Sequence, residues 1–168
     1  MKNLKLLKNL ITIYYYGILV IFGIGVIAIP MLLAIGEKTE ITFLDQVIDL
    51  QEITPIKMSI LLVLIGSLYL LYFLSIRLVK QTVDILATGT YFTIEIITNF
   101  KRIGQYFLGI GIGATVVKAI IGLITRSTIH MKIGGSMLVF ILFGLFFMFL
   151  SEAFAKAKSL REENSLTI

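Results

Sequence analysis

Four apolar runs, at about residues 10–35, 56–79, 104–124 and 136–155, alternate with shorter stretches that hold most of the charge. A helix of about 20 residues crosses the ~30 Å hydrocarbon layer of a bilayer. The pattern therefore predicts an all-α integral membrane four-helix bundle, built as a single membrane domain over residues 1–168. The third run, GQYFLGIGIGATVVKAIIGLI, carries one charge, Lys118, and five of the chain's fourteen glycines. At ~100° per residue, Gly104, Gly111, Thr115, Lys118, Gly122 and Thr125 fall on one side of it, and Gly109 and Gly113 on the other. A small and polar stripe holding a deep lysine belongs against other helices and not against lipid, which places this run at the centre of the bundle.

The connectors differ in kind. Residues 36–55 hold five carboxylates, Glu37, Glu40, Asp45, Asp49 and Glu52, within 16 residues. That spacing matches no calcium-loop signature, so a solvated acidic loop is expected over a cation site. Phe43, Leu44, Val47, Ile48 and Leu50 recur at roughly helical intervals and predict a short interfacial helix there. The connector at 80–103 is basic at its end and is broken at Thr88-Gly89-Thr90. Beyond the break, Thr93 suits an N-cap and Glu95 the first turn. Ile94, Ile97 and Phe100 or Lys101 then mark a short amphipathic cytoplasmic helix between the second and third spans. It lies along the membrane surface or runs straight into the third span. A charged stem and tail close the chain at 156–168.

Composition agrees with the pattern. Hydrophobic residues make up 58% and charged residues 15%, and the mean hydropathy is +0.99. A soluble unit of this size could not bury so much apolar surface. The first run follows a basic start but exceeds the ~7–15 apolar residues of a secretory signal, so it reads as an uncleaved span. Tyr14, Tyr15 and Tyr16 suit the headgroup layer near its start, and Pro30 is expected to bend or end it. There is no cysteine, which removes thiolate metal sites and thiol chemistry. His130 is the one histidine and a poor metal candidate by itself. No cofactor is expected.

The net charge of +5 reads as a topology signal and not as a nucleic-acid footprint. With the termini and the 80–103 connector on one side, that side holds ten lysines and arginines and the other holds four. The excess predicts a multi-pass protein of the cell (inner, cytoplasmic) membrane with both termini in the cytoplasm.

Lys118 lies fourteen residues beyond Gly104, ~21 Å along the helix, with ~9 Å left to the far edge. Two readings stay open. It snorkels to the outer headgroups, or it lines a polar crevice with Gly111, Thr115 and Gly122. In the second case Asp45, Asp49 or Glu52 would suit its depth, if their loop folds back.

Tyr91-Phe92-Thr93-Ile94-Glu95, followed by Asn99-Phe100-Lys101-Arg102-Ile103-Gly104, resembles the Phe-Ser/Thr-x-Glu-Asn…Leu-Arg/Lys-x-Ile-Gly pattern of a bacterial family of four-helix membrane proteins. The tail, Glu162-Glu163-Asn164-Ser165-Leu166-Thr167-Ile168, is similar to that family's acidic C-terminus, with Ser165 in place of the usual aspartate. The family is a domain of unknown function whose members are often encoded beside a small helix-turn-helix repressor. The resemblance implies the same four-helix fold and a role in regulated expression, stress or immunity. Both marks fall on the cytoplasmic side, one basic (Lys101, Arg102) and one acidic (Glu162, Glu163). They suggest a docked tail, with Leu166 and Ile168 on the apolar face near Phe92 and Phe100; the alternative is a solvated tail.

With one histidine, no cysteine and no deep carboxylate, the spans offer nothing to build a nucleophile–base pair, and an enzyme is not expected. The favoured function is interaction within the membrane, in regulation or in stress or immunity-type protection of the cell membrane. The alternative is a small transporter, or an accessory subunit of one, using Lys118. Partners are the lipid bilayer and another membrane protein or a second copy, with no nucleic acid.

Overall fold

Where the chain lacks a helix breaker, its helices run on past the apolar segments. The computed structural model describes residues 2–35, 40–43, 46–49, 53–126 and 135–166. In order these form α1 (Lys2–Ile35), β1 (Glu40–Phe43), β2 (Gln46–Asp49), α2 (Pro55–Ala87), α3 (Ile94–Arg126) and α4 (Gly135–Leu166). Each helix holds 32 to 34 residues, ~50 Å at helical rise, so its ends project beyond a ~30 Å hydrocarbon layer. All four are long and apolar enough to cross a membrane. The class of the molecule follows: a multi-pass, four-helix membrane protein.

Two expectations about the connectors are corrected. No separate amphipathic helix lies between the second and third spans. Residues 80–87 contain no breaker and prolong α2, while 94–103 are the first turns of α3. The break reduces to a tight turn. Thr88 and Gly89 donate their amides to Ile85 and Leu86 at 3.1 Å, and Gly89 takes a φ of 87°, which glycine tolerates best. Thr93 then caps α3, its hydroxyl accepting from the Ile96 amide at 3.3 Å. The apolar face also differs from the one expected. Ile96, Phe100 and Ile103 are buried among helices, while Ile94 is exposed.

The second correction concerns the interfacial helix expected within 36–55: its described residues form two antiparallel strands, β1 and β2, and Leu44 and Leu50 lie outside the described residues. Glu40 pairs with Asp49, Ile41 with Ile48, Thr42 with Val47 and Phe43 with Gln46. β-branched Ile41, Thr42, Val47 and Ile48 favour extended backbone over the apolar recurrence that suggested a helix. α2 then opens with Thr54 in an extended conformation and Pro55 at the first helical position.

The helices pack in a row rather than a closed ring. Among the described residues α1 packs on α2 alone, α2 on α3, and α3 on α4, with β2 lying against α3. α3 is the best-covered helix, with 33% of its most apolar window buried against 6% for α1. Its core stripe, Ile96, Phe100, Ile103, Phe107, Ile110, Val117 and Ile121, follows a spacing of threes and fours. The first five are enclosed by α2 and α4 side chains such as Leu78, Ile85, Phe147 and Phe154. Leu61 of α2 joins Val117 and Ile121 toward the other end.

Candidate functional site

The glycines of α3 are used on both flanks. A Cβ on Gly104 would sit 2.6 Å from the Gly144 carbonyl oxygen, and one on Gly144 would sit 3.0 Å from that of Gly104. Backbone meets backbone there, which is how helices associate without a hydrophobic driving force. On the other flank, a Cβ on Gly113 would come within 2.8 Å of Leu68 and one on Gly109 within 3.7 Å of Leu71. The stripe expected to line a crevice is therefore, at Gly111 and Thr115, a packed seam. Gly111 faces Ile141, Met137 and Phe140, and the Thr115 hydroxyl reaches Gly111 O at 3.2 Å and Met137 Sδ at 2.8 Å. Gly122 is buried and Lys118 half-buried. The β2 backbone packs on α3. Asp45, Glu52 and His130 lie outside the described residues.

Phe92 and Phe100 meet Phe154 of α4, at ring centroids of 5.8 and 5.2 Å. That side chain occupies the apolar place anticipated for the tail. α4 itself continues to Leu166 as helix, with Glu162 beside Lys158 at 3.5 Å and Glu163 accepting from Ser159 at 3.2 Å. Lys101 and Arg102 are exposed on α3. Ile168 and the Leu166 side chain lie outside the described residues.

The structure assembles a polar site that reading the chain missed. The starts of α1 and α3 and the ends of α2 and α4 gather at one end of the molecule. There a cleft of about 680 Å³ opens between Tyr15 and Tyr16 of α1, Arg77, Lys80, Gln81 and Asp84 of α2, and Glu95 of α3. Asp84 is its hub. Lys80, one turn earlier, donates to Oδ2 at 2.9 Å, and Lys8 of α1 approaches Oδ1 at 3.0 Å. Gln81 donates to Glu95 at 2.7 Å and ties α2 to α3. Lys80, Gln81 and Asp84 lie beyond the apolar stretch 56–79, and Glu95 lies before the third apolar run. The Lys80 hydrogen bond, aided by Lys8, holds the Asp84 carboxyl below its usual range against the partial burial that would raise it. The same bond raises Lys80 above an ordinary lysine. The Lys80–Asp84 spacing was legible as an i,i+4 pair; the reach of Lys8 from another helix was not.

Below the cleft, aromatic side chains join α1 to α2. Tyr15 stacks on Phe73 at 5.4 Å and Phe22 on Tyr69 at 4.8 Å. Tyr69 donates to the Ile18 carbonyl at 2.6 Å, and Tyr14 shares a hydrogen bond with Tyr72. Two of the three tyrosines expected to float in the headgroup layer thus serve as helix contacts. Comparison with family models, curated proteins and solved structures found no match to this chain.

Proposed function

We propose that this protein sits in the cytoplasmic membrane with both termini inside. There it acts without catalysis, by lateral contact with another membrane protein or a second copy, in a regulatory or protective role. The observation that carries this reading is the open edge of the helix row. Among the described residues α1 is held by α2 alone, and its far face, Leu10, Ile13, Val20, Ile24 and Ile27, is exposed along its length. Gly17 lies on that face with no atom within 4 Å of a would-be Cβ, which leaves room for another helix to approach closely. The packing at Gly111 and Thr115 supports interaction over transport, because α4 side chains fill the stripe that would have lined a path. The excess of lysine and arginine on the side of the termini supports the orientation.

Photocrosslinking in living cells tests this. A photoreactive residue at Val20 or Ile24 should yield a discrete protein adduct, of one mass from both positions. Adducts to lipid alone would overturn the proposal.

A further inference from the structure

The cleft does not end at the polar groups. Along α2, Arg77, Phe73, Leu70 and Gly66 recur every three or four residues, and along α1 Tyr15, Leu19 and Phe22 do the same, so both sets line one furrow. Directly below the cleft lies an apolar pocket of about 310 Å³ between Leu19, Phe22, Leu70 and Phe73. A second, of about 410 Å³, continues it past Gly25, Val26 and Leu62. From Arg77 to Leu62 the furrow runs ~22 Å at helical rise, more than the ~15 Å depth of one leaflet's hydrocarbon. A Cβ on Gly25 or Gly66 would meet nothing within 4 Å, so the floor is open there.

The charges at the head of this furrow are unequal. Lys8 and Lys80 are both engaged with Asp84, and Gln81 with Glu95. Arg77 is exposed and forms no ion pair among the described residues. Three cations and two carboxylates leave one net positive charge at the head of the furrow, where Arg77 is the exposed cation outside the Asp84 ion pairs. A guanidinium offers a donor fork matched to phosphate, and Tyr15 and Tyr16 line the same cleft with their phenol rings. A polar, cationic head above an apolar furrow is the complement of an amphiphile with one negative charge. We infer that the α1–α2 furrow seats one anionic phospholipid from the leaflet on the side of the termini. Its phosphate lies at Arg77 and an acyl chain runs past Phe73 and Gly66. This furrow faces away from the Val20–Ile24 side of α1, so the lipid site stands or falls separately from the partner face.

The test is native mass spectrometry of the purified full chain in non-ionic detergent, titrated with phosphatidylglycerol or phosphatidylcholine of identical acyl chains. Both lipids offer a phosphate to Arg77, but the choline cation of phosphatidylcholine offsets its charge there, so phosphatidylglycerol should bind roughly tenfold more tightly. Arg77→Gln, at an exposed side chain, should bring it down to the phosphatidylcholine level with helicity unchanged. Gly66→Leu, which fills the floor, should weaken both lipids. Glycerol phosphate, which lacks acyl chains, should not displace either. Equal affinity for the two lipids, an unchanged Arg77→Gln variant, displacement by glycerol phosphate, or a dimer that Gly66→Leu dissolves would each overturn the assignment.

Discussion

Glycine does two different jobs in this chain. At Gly104 the nearest atoms to an added methyl are a backbone oxygen and Met148, both at 2.6 Å, and the oxygen cannot move aside without parting α3 from α4. Gly104→Ala should therefore destabilise the folded protein by about 1–3 kcal/mol, the usual cost of overpacking. Gly17→Ala, with nothing within 4 Å and alanine the better helix former, should leave the isolated chain as stable or slightly more so. Thermal denaturation in detergent, followed by circular dichroism, checks both; equal midpoints for the two variants would contradict the contrast. Spacing along the third span already suggested which glycines share a side, but not which of them touch. Contact depends on where α4 crosses, and that is decided by Gly144 forty residues away. Asn99 shows the same gap between reading and structure. It is buried, with its amide nitrogen unbonded among the described residues.

At the scale of elements, α1 is held by aromatic contacts and by the ion pairs at Asp84. The Asp84 carboxyl is lowered in the folded state, so its contribution is present above the ordinary carboxylate range. That contribution is lost as pH falls through the lower folded value. Lys80 is raised, so its share is complete below the ordinary lysine value and disappears as pH rises through the raised one. The difference in melting midpoint between the wild type and Asp84→Asn should then be constant from pH ~5 to ~9 and shrink below pH ~4 and above pH ~10.5. A difference that vanished near pH 7 would rule out this clamp. The N-cap at Thr93 and the break at Gly89 were legible, because capping and left-handed turns are local chemistry. The pairing of β1 with β2 was not: the apolar residues there recur at intervals that also fit a helix, while β-branching favours strands, and β2 packs on α3.

For the whole molecule, a row of four helices with one edge helix lightly held is a different object from a sealed bundle. In lipid such an edge costs little, because acyl chains cover apolar side chains as well as a neighbouring helix does. The proposed orientation predicts that reporters fused to either end are active in the cytoplasm, and that one inserted within 36–39 is active outside. Opposite faces for the two termini would require an odd number of crossings and would sink the topology.

Length, hydrophobic runs and the distribution of charge determined by themselves that this is a membrane protein of four spanning helices with α3 at its middle. Each of those properties is additive along the chain and needs no knowledge of neighbours. The tertiary structure alone decided that the row stays open. It also showed that the Gly111–Thr115 stripe is packed by α4, and that Lys8, Arg77, Asp84 and Glu95 converge on one cleft above an apolar furrow. Those outcomes depend on which helix faces meet, and meeting is fixed by close approach at particular glycines and by charges brought together from distant positions in the chain.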